Sequence, residues 1–242
     1  MIPLAAVLTH LGDRWLEPQV QDKLSRWYWC GVFGELYGSA TESRIALDLQ
    51  HLSKWIDDPV APLPATVVAA GFQSSRLDTM RTRTSAAYRG LYVLLQHQGA
   101  EDFYWKARML EIDLNENGVD IHHIFPRKWC EQNGVPPRVY DSIVNKTAIS
   151  LKANRKIGGS APSIYLTQLE RDPAVQIDAG RMDAILRTHC IAPSLLRADD
   201  FANFFQDRKT TLLRLIERVM GKQAVTRDEP APEDAVDASD DE

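Results

Sequence analysis

The stretch DIHHIFPRKW, residues 120–129, carries two adjacent histidines, His122 and His123, between apolar residues and just ahead of Pro126. In a β-like run neighbouring side chains point to opposite faces, so one imidazole falls on each side of the strand. Neutral imidazole both accepts a proton and binds metal near neutral pH. Further along come Asn145 and Asn154, and Asp120 stands two residues before His122. Lys146, Lys152, Arg155 and Lys156, with Arg127 and Lys128, make the neighbourhood basic. A phosphodiester hydrolase needs such a set. It uses a base to activate water, a divalent cation to neutralise charge on the scissile phosphate and leaving oxygen, and cations to hold phosphates. Histidines on opposite faces divide the first two jobs. Asn154 can offer a neutral oxygen to the metal. Asp120 shares the His122 face of a regular strand, where it either orients His122 from behind or ligates metal itself.

These residues need a scaffold, and the local pattern predicts strand, loop, strand, helix. NENG at 115–118 is a turn. VDIHHIF is a short β-type run, and RKWCEQNGVPPR is a loop with room for one helical turn. IVNKTAIS at 143–150 is a second β-type run rich in β-branched residues. LKANRKIGG is a short helix closed by Gly158 and Gly159. The rest reads as helix. Ile45, Leu49, Leu52 and Ile56 form one stripe, stopped by DDP at 57–59. Val20, Leu24, Trp27 and Tyr28 have helical spacing, with Gly38 as the C-cap. A third helix is predicted from Ser75 to His97, with Leu77, Met80, Ala87, Leu91 and Leu94 on one face. Pro162 and Ser163 start another. Asp199 and Asp200 open a last one, whose Phe201, Phe205, Leu212, Leu215 and Val219 share a face and which Gly221 ends. The tryptophans read as apolar filler rather than base-stacking platforms.

The chain of 242 residues, 44% hydrophobic and 25% charged, has an ordinary balance and is long enough to bury a real core. No apolar run approaches the ~20 residues of a membrane span. The start, MIPLAAVLTHLGDRW, has no basic n-region and reads as a helix beginning rather than a signal peptide. Cys30, Cys130 and Cys190 lie far apart with no CxxC pair, which argues against a disulfide framework or a cysteine zinc site and suits a reducing cytoplasm. The net charge of −5 conceals an uneven distribution. Asp228 to Glu242 holds eight acidic residues and no basic one, so the rest of the chain is at +3. This Pro- and Ala-rich tail is expected to be a disordered, solubilising terminus. A sharper alternative makes it a nucleic-acid mimic that guards a basic site.

DIHHIFP followed by DSIVNKTAISLKANRKIG resembles the HNH, or ββα-metal, endonuclease motif, and its N-K then N-R-K arrangement is similar to the HNH domain of RNA-guided CRISPR nucleases. The longer pattern of HHIFP, NKT and LKANRKIGGSAPSIYL is similar to the DUF1524 HNH domain at the C-terminus of DUF262 proteins. That group includes GmrSD-type modification-dependent restriction enzymes and related phage-defence nucleases. KLSRWYWCGVFGELYGSATESRIALDLQHL and CIAPSLLRADDFANFFQDRKTTLLRLIERVMGK look like their helical flanks, so the resemblance covers most of residues 1–221.

The resemblance implies a metal-dependent endonuclease that nicks or cleaves DNA in restriction or antiviral defence. His123 falls at the general-base position and His122 at the first metal-ligand position, where relatives often carry Asp. Asn154 falls at the second ligand position, and Asn145 at the central Asn that fixes the loop and orients the base. The implied cofactor is Mg²⁺, with Mn²⁺ or another transition metal as alternatives. The implied partners are DNA, contacted through its phosphate backbone, and a separate DUF262-type NTPase or sensor subunit or domain. One site makes one nick, so a homodimer would serve double-strand breaks. No membrane is implied, and the location is cytoplasmic. The nucleotide-linked N-terminal domain of DUF262 proteins has no counterpart here, nor is there a P-loop. The chain resembles their C-terminal half, as a separate effector subunit, a truncated product or a fragment.

The fold class expected is therefore mainly α with a small ββα-metal α+β insert. Residues 1–110 form a helical domain, 111–170 the HNH motif, 171–222 a C-terminal helical region packed on the rest, and 223–242 the disordered acidic tail. The rivals are a non-catalytic nucleic-acid-binding module with an HNH-like fold, an RNA-cleaving HNH nuclease and a structural metal domain. A structural zinc would want four good protein ligands. A lone histidine is more often structural than catalytic, and so read His10, His51, His97 and His189.

Overall fold

The computed structural model describes residues 2–38, 41–112 and 118–226. The NENG turn, apart from Gly118, and the acidic tail from 227 lie outside the described residues. Helices α1 (Ile2–Leu11), α2 (Pro18–Phe33), α3 (Thr41–Asp57), α4 (Ala65–Ala69), α5 (Arg76–Thr79) and α6 (Ala86–His97) come first. Strands β1 (Val119–His123) and β2 (Lys146–Ser150) form a two-stranded antiparallel sheet, with α7 (Arg127–Gln132) and α8 (Pro137–Tyr140) between them. Then follow α9 (Leu151–Ile157), α10 (Pro162–Arg171), α11 (Ala179–Thr188), α12 (Pro193–Arg197) and α13 (Phe201–Met220).

Apolar stripes and caps set these helices. Asp200 accepts from the Asn203 backbone N–H to start α13, and Gly221, at φ 60°, ends it. Phe204, Phe205, Leu212, Leu215 and Ile216 are buried between them. α13 packs on α2, whose Val20, Leu24 and Trp27 are buried in turn. Each such side chain contributes roughly 1.5–3 kcal/mol. Buried residues from Val7 to Met220 form one continuous core, so the sheet rests on the same apolar interior as the helices. Among the described residues no helix is long and apolar enough to cross a membrane. The three cysteines are free.

Four local expectations change. α2 stops at Phe33 with Gly34 as its C-cap, not at Gly38, because the chain folds back and lays Tyr37 across Gly31 and edge-on to Trp27. The helix expected over 75–97 is two helices. Ser85 caps the second by accepting from the Tyr88 N–H, and in the gap the Met80 carbonyl accepts from the Ile143 N–H. Both pieces face the same core, so the apolar period runs across the break. Residues 143–145 form a 3₁₀ turn, and β2 begins only at Lys146. Val225 lies in a parallel bridge with Gln73, bonded to the Phe72 carbonyl and the Ser74 N–H, so residues 223–226 belong with the body rather than with a disordered tail.

Candidate functional site

The sheet register pairs Val119 with Ser150, Asp120 with Ile149, Ile121 with Ala148, His122 with Thr147 and His123 with Lys146. Both histidines lie inside the ladder, so they face opposite sides of β1. α9 starts directly from the end of β2 and packs against both strands. Ser150 caps it, accepting from the Ala153 N–H. The buried Asp102 carboxylate in turn accepts from the Ser150 N–H at 2.6 Å and from the Tyr104 and Trp105 N–H groups, which ties α9 to the loop after α6. Gly118 enters β1 at φ +57°, and a Cβ there would sit 2.5 Å from Leu151 Cδ1, so only glycine brings the strand this close to the helix.

One face gathers Asp120, His122 and Asn154. Asn154 Nδ2 donates to Asp120 Oδ2 at 2.9 Å. A carboxylate only accepts, so this contact fixes the amide orientation and leaves Asn154 Oδ1 free. Asp120 Oδ1 accepts from the Ile121 N–H at 2.8 Å and lies 3.4 Å from the guanidinium of Arg83. Asp120 thus holds Asn154, a contact that neither reading of it from the sequence, orienting His122 or ligating metal, included. Burial first, then His123, lowers His122 to about 4 against the opposing pull of Asp120. The imidazole is therefore neutral at neutral pH. Its Nε2 is buried and has no hydrogen-bond partner, and an unpaired buried nitrogen of this kind is costly unless something takes its lone pair or proton.

The opposite face carries His123. Its Nε2 lies 2.8 Å from Asp141 Oδ1, and the Tyr140 ring stands edge-on at 5.9 Å. Asn145 organises this side from full burial. Its Nδ2 donates to the Phe125 carbonyl at 3.0 Å and to the Tyr140 carbonyl at 3.1 Å, while Oδ1 accepts from the Phe125 N–H at 2.9 Å. These bonds close the excursion 125–145 into a ring and set the backbone next to Asp141. Phe125 anchors the ring among Trp129, Phe201 and Phe204. Arg208, buried in α13, donates to the Ile143, Val144 and Lys146 carbonyls. Burial lowers Arg208 to about 10, so it stays charged at neutral pH.

The nominated cations divide into engaged and free. Lys146 is buried, donating to the Arg81 carbonyl at 3.1 Å and lying 4.0 Å from Asp141 Oδ1. It is an internal strut rather than a surface contact, because at the start of β2 its ammonium reaches the Arg81 carbonyl in the segment before α6. Lys156 pairs with Asp172 at 2.6 Å, Arg127 with Glu131 at 2.9 Å, and Lys152 lies over the rings of Tyr104 and Trp105. Lys128 and Arg155 are exposed. Arg83 and Asp141 were missed: Arg83 comes from a loop with no motif around it, and Asp141, although it opens the DSIVNKTAIS stretch, has no spacing that ties it to His123 before the chain folds. His189, read as structural, is so: it bridges Thr147 Oγ1 and the Glu101 carbonyl.

The uncharacterized protein MJ0686 of Methanocaldococcus jannaschii is 28% identical over 179 residues, a match covering 70% of this chain and 30% of that protein. The chain therefore spans less than a third of that relative's length. No family model matches the chain, and no solved structure matches it.

Proposed function

We propose that the chain is a metal-dependent HNH-type endonuclease that hydrolyses DNA phosphodiester bonds, with His123 as the general base. The observation that carries this reading is the division of the two imidazoles. His123 is gripped by a carboxylate on one face of β1, and His122 presents an unpartnered buried Nε2 on the face that holds Asp120 and Asn154. The donor set fits a divalent ion: His122 Nε2 and Asn154 Oδ1 would hold it, with the Asp120 carboxylate beside them. Such an ion, Mg²⁺ by resemblance or Mn²⁺ by the imidazole donor, supplies charge neutralisation at the scissile phosphate and leaving oxygen.

The chain's own residues do the rest. His123 takes a proton from water as the water oxygen attacks phosphorus in line. Asp120 keeps the Asn154 oxygen turned outward. Asn145 keeps the loop closed and the Tyr140 ring against His123. Arg155 and Lys128, both exposed, remain to meet phosphates, while Arg83 pairs with Asp120. A single site makes single nicks, in keeping with a restriction or antiviral effector that acts through a second copy or a partner subunit. The test is incubation of the full chain with supercoiled plasmid, modified and unmodified, and with RNA, across a panel of divalent metals. Metal-dependent conversion to open circle supports the reading. Intact plasmid and RNA under every metal would overturn it.

A further inference from the structure

We propose that Asp141 is the positioning partner of His123: it receives the Nε2–H and leaves Nδ1 as the free basic nitrogen. Nothing in the spacing of the sequence pairs Asp141, the first residue of the DSIVNKTAIS run, with His123. The proposal rests on the endonuclease reading for its consequence, though not for its geometry.

The contact is direct, Nε2 to Oδ1 at 2.8 Å, between residues that the fold brings together from 18 positions apart. An ionised carboxylate has no proton to give, so the imidazole nitrogen must be the donor. Asp141 is held in that ionised form. Burial alone would raise it, but the His123 hydrogen bond and the charge of Lys146 outweigh burial and leave it below the ordinary carboxylate range. The carboxylate does not swing freely. Asp141 is the C-cap of α8, its N–H bonded to the Pro137 carbonyl at 3.0 Å, and the Tyr140 carbonyl just before it is held by Asn145. Lys146, 4.0 Å from the same oxygen, is itself anchored on the Arg81 carbonyl. Backbone bonds thus fix Asp141 in place, and one of its oxygens faces both the His123 Nε2 and the Lys146 ammonium.

In the reaction the water oxygen bonds phosphorus and its proton passes to Nδ1. The bond from phosphorus to the leaving oxygen breaks with its electron pair on that oxygen, which takes a proton from solvent. The imidazolium formed stands against the Asp141 carboxylate, which lowers the barrier to the proton transfer and fixes the ring for it.

Two measurements test this. In metal-free full-length protein, His123 should show an Nε2–H proton protected from solvent exchange by NMR, assigned by its loss in His123→Gln. Asp141→Ala should lose the protection. An unprotected proton in the wild type, or an unchanged one in Asp141→Ala, overturns the proposal. In plasmid nicking at saturating metal, Asp141→Ala should lower kcat roughly 10²-fold with KM unchanged. Asp141→Asn, isosteric and safe for the fold, should fall between, and Asp141→Glu should recover part of the loss. Wild-type kcat in folded Asp141→Ala and Asp141→Asn would overturn the positioning role. If the wild type cuts nothing, the endonuclease reading fails while the proton measurement still decides whether Asp141 holds the ring.

Discussion

Acid should weaken this fold through one histidine outside the His122–His123 pair. His189 is 1% exposed, with Nε2–H donating to the Glu101 carbonyl and Nδ1 accepting from the Thr147 hydroxyl, each at 2.7 Å. Burial lowers it from 6.5 to about 4; the Glu101 carbonyl resists that shift, and the positive charge of Arg208 adds to it. The unfolded chain therefore takes up a proton near 6.5, while the folded chain refuses it until about 4. Stability from this residue is complete above the unfolded value and is lost as pH falls through that window. The depression corresponds to about 3 kcal/mol at its full extent, a large share of the ~5–15 kcal/mol that holds an ordinary domain together. The assay is denaturant unfolding followed by tryptophan fluorescence at a series of pH values across the window, for wild type and His189→Gln. Glutamine can keep both the donor and the acceptor but does not titrate. The stability of the wild type relative to the variant should fall by about 3 kcal/mol from the top of the window to the bottom. A difference that stays flat across the window would refute the burial argument, whatever other groups titrate, because they are common to both proteins.

His123→Ala should lower plasmid nicking by ~10²–10⁴-fold with the unfolding temperature and DNA binding unchanged; turnover at the wild-type rate would remove His123 as base. Chelation by EDTA should stop nicking while helical circular dichroism persists, and His122→Asp, which exchanges a nitrogen donor for a carboxylate, should move metal preference from Mn²⁺ toward Mg²⁺. An identical metal ranking in the two proteins would exclude His122 as a ligand. Lys128→Ala and Arg155→Ala should each weaken DNA binding at all sequences and reduce the salt slope by about one. Lys156→Ala and Arg127→Ala should cost less, since Asp172 and Glu131 already face those charges; equal losses at all four would show that the ion pairs do not decide which cations meet phosphate.

Much of the helical frame was legible because its signals are local. The stripe in α3, the Asp200 cap and Gly221 of α13, and the glycine end of α9 are each written in a handful of consecutive residues. The errors share a cause. A period of apolar residues reports which face is buried, not whether the backbone is continuous, so α5 and α6 looked like one helix. β-branched residues at 143–144 report a fit to a packed surface, and they do not say that Arg208 will take their carbonyls and curl them into a 3₁₀ turn. The cap of α2 moved because Tyr37 found Gly31, a contact that only exists once the chain has turned.

The site divides along the same line. The opposite faces of His122 and His123 follow from strand alternation alone, and Asn154 reaches β1 because α9 begins where β2 ends. What could not be read is what those side chains touch from elsewhere. Asp120 has its own strand neighbours, yet its partners are Asn154 from α9 on the same face and Arg83 from the loop before α6. The basic residues beside Asn154 looked equivalent as text, but Lys156 is paired, Lys152 lies over two rings, and Arg155 is exposed. Asn145 is the instructive case. A central asparagine that orients a base suggests a direct bond between the two, whereas here its amide holds Phe125 and Tyr140, and the residue after Tyr140 grips His123. Orientation is transmitted through backbone carbonyls of a closed loop, with Arg208 bracing the same segment from α13. The helices flanking the motif are thus part of what holds the imidazole in place, and a minimal excision of residues 111–170 would leave the Ile143, Val144 and Lys146 carbonyls without the Arg208 guanidinium and Lys146, beside Asp141, without the Arg81 carbonyl that anchors it.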